Sequence, residues 1–99
     1  MKHYTVTLAA DQTAYNLLTL VRIIEASFID VPSQITITSH EDNSVPIYLG
    51  GDDTVDEDDY GQPLEAAGAT TNFDRGQLGG VWAYPNGAAN QKLNIAVLR

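Results

Sequence analysis

The strongest constraint on the fold is a change in the spacing of apolar residues near Pro32. From there to the C-terminus, apolar and polar residues alternate with a period of two, as in Ile35-Thr36-Ile37-Thr38. Residues two apart lie on the same face of a β-strand, so this spacing is typical of strands with one buried face. We therefore expect β-strands over most of the chain.

The alternation and the turn residues between its segments predict six or seven short strands. They fall at residues 4–8, 35–38, 45–49, 64–68, 69–73, 81–84 and 93–98. The second and third are expected to form a hairpin across the polar turn 40–44. Residues 74–80 are expected to form a loop, and Pro85-Asn86-Gly87 supplies turn chemistry in the longer connection, up to Lys92, before the last strand.

One helix is predicted before the main run of strands, at residues 14–26. Its apolar positions follow three-and-four spacing: Leu17, Leu18, Leu20, Val21, Ile24 and Phe28. Polar residues at 11–13 can cap its start, and Pro32 marks the exit from the segment.

These elements together indicate an all-β fold with one short helix, a small antiparallel β-sandwich or jelly roll. A chain of 99 residues is long enough for one modest core, so we expect a single domain over 1–99. The expected core residues are Tyr4, Val6, Leu8, Ile35, Ile37, Ile47, Leu49, Trp82, Ile95 and Val97.

The charge balance argues against several classes of partner. Thirteen acids against five bases give a formal net charge of -8. Binding by phosphate neutralisation has no electrostatic basis in such a chain, so neither nucleic acid nor an anionic membrane is an expected partner. The absence of cysteine is typical of a protein that matures in a reducing compartment, and we predict neither a signal peptide nor a membrane span.

Motifs for catalysis are absent from the sequence, and we expect no enzyme activity and no cofactor. There is no nucleophile elbow and no phosphate-binding glycine motif. His40-Glu41 resembles the start of a zinc-protease helix, but the histidine required three residues later is replaced by Ser44. His3, next to the N-terminus, is expected to be an exposed polar residue.

An acidic run concentrates six carboxylates within eight residues and contains no base. They are Asp52, Asp53, Asp56, Glu57, Asp58 and Asp59. Their repulsion is relieved by solvation, by a basic partner surface or by a cation, and all three interpretations stay open. The candidate calcium ligands are Asp52, Asp53, Asp56 and Asp58. An EF-hand register from Asp56 fails, since Tyr60 stands at its fifth position and Ala67 at its twelfth.

Two aromatic residues next to loops also invite functional interpretation. Tyr60 and Trp82 are of the type that stacks on sugars or anchors a protein interface. Because Trp82 alternates in phase with Tyr84, we favour a place in the core for Trp82 over a ligand platform.

The order of several short segments resembles small virion proteins of tailed bacteriophages, of the capsid decoration or cement class. The resemblance is carried by residues 16–20, 35–37, 46–50, 59–64 and 92–95. It implies a compact β-sandwich on the outside of a phage head, made in the cytoplasm of the host bacterium. It also implies binding to the major capsid protein, self-association as a dimer or trimer, and a stabilising role. The acidic run is longer than the corresponding segment of that class.

The candidate contact regions are the N-terminal strand, the segment from Asp52 to Tyr60 and the segment from Arg75 to Gly80. The residues expected to make interactions are Asp56, Glu57, Asp58, Asp59, Tyr60, Arg75 and Trp82. Two alternatives stay open: a small module that binds carbohydrate or depends on calcium for binding, and a tail or neck adaptor of the same virion.

Overall fold

A computed structural model describes residues 1–87 and 90–98, which form two antiparallel four-stranded sheets. The strands are β1 (Lys2–Leu8), β2 (Tyr15–Asn16), β3 (Ser33–Ser39), β4 (Ile47–Gly50), β5 (Gln62–Leu64), β6 (Thr70–Gly76), β7 (Trp82–Pro85) and β8 (Gln91–Leu98). One α-helix, α1 (Leu17–Ile24), and one 3-10 helix (Leu78–Gly80) complete the described elements.

The strand order is that of a jelly roll. The first sheet has the order β1-β8-β3-β6 and the second the order β2-β7-β4-β5. The first strand therefore pairs with the eighth, the second with the seventh, the third with the sixth and the fourth with the fifth. Successive pairs alternate between the sheets, as in an eight-stranded hairpin folded over to bury one face. The predicted all-β sandwich is confirmed.

The predicted hairpin between the strands around Ile35 and Ile47 is wrong, because β3 and β4 lie in different sheets. The chain crosses between the sheets in the segment 40–46. There the side chain of Asn43 bonds to the backbone, in place of the hydrogen bonds between strands that a hairpin would have formed. Its amide nitrogen donates to the carbonyl of Lys92 at 2.7 Å, and its amide oxygen accepts from the backbone N–H of Lys92 at 2.7 Å. The connection predicted from Pro85 to Lys92 contains residues 88 and 89, which lie outside the described residues.

The core lies between the two sheets, and alternation along the strands fills it. Nine of the ten expected core residues are buried, and the exception is Trp82. Trp82 is half-buried and lies on the outer face of the second sheet, because its neighbours Val81 and Ala83 are the residues that point inward. Ala83 is fully buried and lies opposite Tyr15 of the neighbouring strand β2.

Helix α1 is shorter than predicted. It begins after Asn16, whose side chain accepts hydrogen bonds from the backbone N–H groups of Leu18 and Thr19. It ends at Ile24, which is exposed, and Phe28 reaches the core from the segment that follows. No helix in the described part of the chain is both long and apolar enough to cross a membrane.

The two ends of the sandwich differ in what they carry. We call one the α1 end: it holds α1, the segments 25–32, 51–61 and 77–81, the start of β1 and the end of β8. The opposite, or far, end holds the connections 9–14, 40–46 and 65–69. Gly50 at the end of β4 lies opposite Trp82 at the start of β7, so the acidic segment leaves the sheet at the α1 end.

Candidate functional site

The exposed large apolar side chains of the described residues all lie at the α1 end. They are Met1, Ile23, Ile24, Ile29, Val31, Tyr60 and Leu98, with exposed fractions from 42% to 85%. Single exposed apolar residues are normal on a soluble protein, but segregation to one end is typical of a binding surface. We call these seven residues the apolar end surface.

The acidic segment 51–61, which we call the acidic loop, is anchored to the sandwich at its start. Val55 is buried, and its side chain packs against Gly50, where an added Cβ would lie only 2.7 Å from the Cβ of Val55. The carboxylate of Asp52 accepts hydrogen bonds from the backbone N–H of Thr54 at 3.0 Å and from its hydroxyl at 2.6 Å. These bonds, of which the hydroxyl's is the larger cause, lower the pKa of Asp52.

A second turn and an aromatic pair order the rest of the acidic loop. The carboxylate of Asp56 accepts hydrogen bonds at 2.8 Å from the backbone N–H groups of Asp58 and Asp59. The ring of Tyr60 packs on the ring of Tyr48 in β4, with 4.6 Å between the ring centroids. The loop therefore has a defined conformation although its carboxylates face water.

The candidate metal ligands do not converge. Asp52, Asp53 and Asp58 are exposed and Asp56 is half-buried. Among residues 1–87 and 90–98, no three histidine, aspartate or glutamate side chains are arranged to hold a metal ion. Two of the four candidates instead use a carboxylate oxygen to cap the turns of the acidic loop, which are the bonds given above for Asp52 and Asp56.

The outer face of the second sheet is rich in aromatic side chains. Tyr48 lies opposite Tyr84, and Trp82 lies two pairs further along the ladder, opposite Gly50. All three aromatic residues are half-buried, and Tyr60 lies over Tyr48. The pKa of Tyr84 is raised, first by partial desolvation of its hydroxyl. The second cause is the carboxylate of Glu57, which accepts a hydrogen bond from that hydroxyl. The structure thus brings Trp82, Tyr60 and Glu57 near one face.

Arg75 lies apart from these residues and is not in a loop as expected. Strand β6 continues to Gly76, so Arg75 is an exposed residue of an edge strand of the first sheet. The 3-10 helix follows, and Asp30 caps it: its two carboxylate oxygens accept from the backbone N–H groups of Leu78 at 2.7 Å and Gly79 at 2.9 Å.

Several residues of the α1 end were not candidates in the sequence. Ile23 and Ile24 belong to a helix expected to turn its apolar stripe inward, and α1 buries Leu17, Leu20 and Val21 instead. Ile23 falls outside the three-and-four spacing, which was the available signal. Ile29 and Val31 stand in an irregular segment, where no period indicates which side chains are exposed.

The two histidines lie in different parts of the fold. His3 is exposed on β1. His40 lies in the turn after β3, where its Nδ1 accepts a hydrogen bond from the backbone N–H of Asp42 at 3.0 Å.

No protein-family model, curated protein sequence or solved structure matches this chain. The class of protein is therefore defined by the fold and the surface alone: a small jelly roll with one apolar end and an ordered acidic loop.

Proposed function

We propose that this chain is a virion structural protein, a capsid decoration protein that binds the outside of a phage head shell and stabilises it. The observation that supports this most directly is the segregation of the apolar end surface to one end of the molecule. A protein that works by docking needs one such surface, and burying it on a partner removes apolar area from water.

Two further features favour this proposal. The jelly roll is a compact scaffold that recurs in virion proteins. The short segments around Asn16, Ile35 and Lys92 resemble the decoration class. Shell subunits would then be the partner, with self-association as a dimer or trimer on the shell.

Co-sedimentation tests the proposal. Shells are assembled from the major capsid protein encoded in the same genome and mixed with the purified chain. We expect saturable binding and a higher rupture temperature of the shell. If the genome encodes no such capsid protein, or its shells neither bind the chain nor gain stability, the proposal is wrong. Electron micrographs of the particle then distinguish a head position from a tail or neck position.

A variant pair locates the docking surface. Ile23→Ser with Ile29→Ser removes two exposed apolar side chains from the α1 end, and we expect shell affinity to fall at least about tenfold. The matched control, Ala10→Ser with Ala67→Ser, changes two exposed residues of the far end and should bind like the parent. Both variants should unfold within about 0.5 kcal/mol of the parent because the residues are exposed.

A second candidate function, carbohydrate binding, is favoured by the outer face of the second sheet. Aromatic rings beside carboxylates suit sugars, whose C–H faces stack on rings while their hydroxyls bond to acceptors. Trp82 and Tyr60 are the expected platforms and Glu57 an acceptor. A glycan array tests this: specific binding lost in Trp82→Ala supports it, and an array without specific binding refutes it.

A further inference from the structure

A recess opens at the α1 end between the two sheets. It has a volume of about 330 Å³. Its lining includes the apolar residues Leu49 and Val81, the half-buried Phe73 of the first sheet and Gln62. The rest of its lining is glycine: Gly50, Gly51, Gly61 and Gly80. Recesses of this size and apolar character are where ligands bind.

At three of these positions the fold shows no steric requirement for glycine. A Cβ added at Gly51 or Gly80 would meet no atom within 4 Å, and one added at Gly61 would make only an ordinary contact of 3.6 Å. None of the three has a positive φ. The other five glycines of the chain have a structural reason, either a neighbour within 3.1 Å of the added Cβ or a positive φ: Gly50, Gly68, Gly76, Gly79 and Gly87.

The three positions without a steric requirement for glycine all line this one recess. A side chain at any of the three positions would fill part of the recess. Steric strain does not require glycine at these positions. Bare backbone at such a place permits the close approach of another chain or ligand. The glycines therefore indicate that the recess is kept open for an occupant.

A second recess of about 300 Å³ adjoins the first and shares Gly50, Gly51 and Gly61 with it. Its lining residues include the acidic Asp52 and Asp59 as well as Thr54 and Tyr60. Within the described residues, neither carboxylate has an ion pair with a base of the chain. One recess thus suits an apolar group and its neighbour a cation.

We propose that this pair of recesses binds an extended peptide segment of a partner protein, with a large apolar residue directly beside a lysine or arginine. Successive side chains of an extended chain point in opposite directions. A segment lying along the glycines would place its apolar side chain in the first recess and the next, basic side chain in the second. Charge complementarity with the acidic loop selects this occupant over an acidic or neutral one.

This inference deepens the proposed function and rests on it for placing the partner at the α1 end. It names the chemistry of the segment that the partner presents. It also assigns the acidic loop a role, namely the selection of a basic residue.

A positional-scanning octapeptide library, immobilised and probed with the purified chain, tests the inference. We expect the selected peptides to carry Leu, Ile or Phe next to Lys or Arg, and their binding to weaken as salt rises. NMR titration with a selected peptide should shift the amide signals of Gly51, Gly61 and Gly80. A library without this preference, or shifts confined to other residues, overturns the inference.

Variants separate the two recesses. Gly80→Val fills the apolar recess, and Asp52→Asn with Asp59→Asn removes charge while keeping an acceptor oxygen at each position. We expect each to weaken the selected peptide at least about tenfold. Ala67→Val, an exposed turn position of the far end, is the matched control and should bind like the parent. Unchanged affinity in folded Gly80→Val and in the double variant refutes the inference.

The failure of this inference is distinguishable from failure of the proposed function. If the chain selects peptides, loses them in Gly80→Val and yet does not bind shells, the peptide site is supported and the capsid partner is rejected. If shell binding depends on Ile23 and Ile29 but the library shows no preference, the decoration role is supported and the peptide site is rejected. Specific glycan binding lost in Gly80→Val would show that the recess takes a sugar, which also overturns the peptide site.

Discussion

Two adjacent glycines should respond to the same substitution with opposite signs. At Gly50, an added Cβ would lie 2.7 Å from the Cβ and 2.9 Å from a Cγ of Val55. These atoms belong to a short, branched, buried side chain, so relief requires the backbone of the acidic loop to shift. Overpacking of this kind costs about 1–3 kcal/mol, and we expect Gly50→Ala to destabilise the protein by that amount.

Gly51, one residue further, offers open space to an added methyl group. Nothing lies within 4 Å of the added Cβ, and the backbone φ is not positive. Alanine therefore keeps the native conformation and reduces the conformational entropy of the unfolded chain, a gain of about 0.4–1 kcal/mol. For a domain of this size, that gain raises Tm by about 2–8 °C.

Thermal and urea unfolding followed by circular dichroism measure both changes. Gly68→Ala serves as a reference, since the φ of Gly68 is 86° and alanine there is strained whatever the space. The reasoning is refuted if Gly51→Ala destabilises the protein by more than about 0.5 kcal/mol, or if Gly50→Ala leaves stability within that margin. A gain at Gly51 would also show that this glycine is not retained for stability.

Three further substitutions test the ordering of the α1 end. Asp30→Ala should cost about 1–2 kcal/mol in urea unfolding through loss of the cap on the 3-10 helix, with Asp30→Asn between it and the parent. The raised pKa of Tyr84 gives stability that is present below pH 10.0 and lost as pH rises through the folded-state pKa. Glu57→Gln should lower the pKa of Tyr84 in an ultraviolet titration. An unchanged titration would contradict the contact between Tyr84 and Glu57. The lowered pKa of Asp52 gives stability that is present above pH 3.8 and lost as pH falls through the folded-state pKa. Asp52→Asn should accordingly make the acid limb of stability shallower than that of the parent, and an unchanged acid limb would contradict the assigned role of Asp52.

The local part of the fold was predictable because it depends on neighbours in sequence. Apolar residues alternate with threonine in β1 and β3 and with Asn94 and Ala96 in β8, and this alternation correctly predicts the three strands and their inward residues. Pairing depends on distant residues instead. In the first sheet, Thr38 pairs with Asn94 of β8 on one side and with Thr70 of β6 on the other. The spacing of apolar residues does not indicate which distant strand lies beside it. For that reason a short polar turn suggested a hairpin where the chain changes sheets.

The candidate site was predictable in its charge but not in its shape. The acidic run is visible in the sequence, whereas its anchoring through Val55 and the return of Tyr60 onto Tyr48 are tertiary contacts. Trp82 was misplaced because size alone does not decide which face of a strand is buried. The recess was also beyond reach: Gly51, Gly61 and Gly80 are spread over thirty residues and adjoin only after folding.

The two ends of the sandwich differ in their contacts, which indicates that they have different roles. At the far end, polar side chains connect the crossing segments. The half-buried Asn43 bonds to both backbone groups of Lys92, and the amide oxygen of the buried Gln91 accepts from the backbone N–H of Ser44 at 2.9 Å. Such networks close a surface by satisfying its own donors and acceptors.

The α1 end does the opposite, since it leaves seven large apolar side chains and an open recess in water, next to the carboxylates of the acidic loop, which have no ion pair within the described residues. Hydrophobic burial within the molecule would have covered these groups if folding alone governed their positions. Their joint exposure is accounted for if another protein covers this end, so a free chain should lose surface hydration here on binding. We accordingly expect a negative heat-capacity change for the complex that shrinks in Ile23→Ser with Ile29→Ser, measured by calorimetry at several temperatures. An unchanged heat capacity in that variant would place the buried apolar surface elsewhere on the jelly roll.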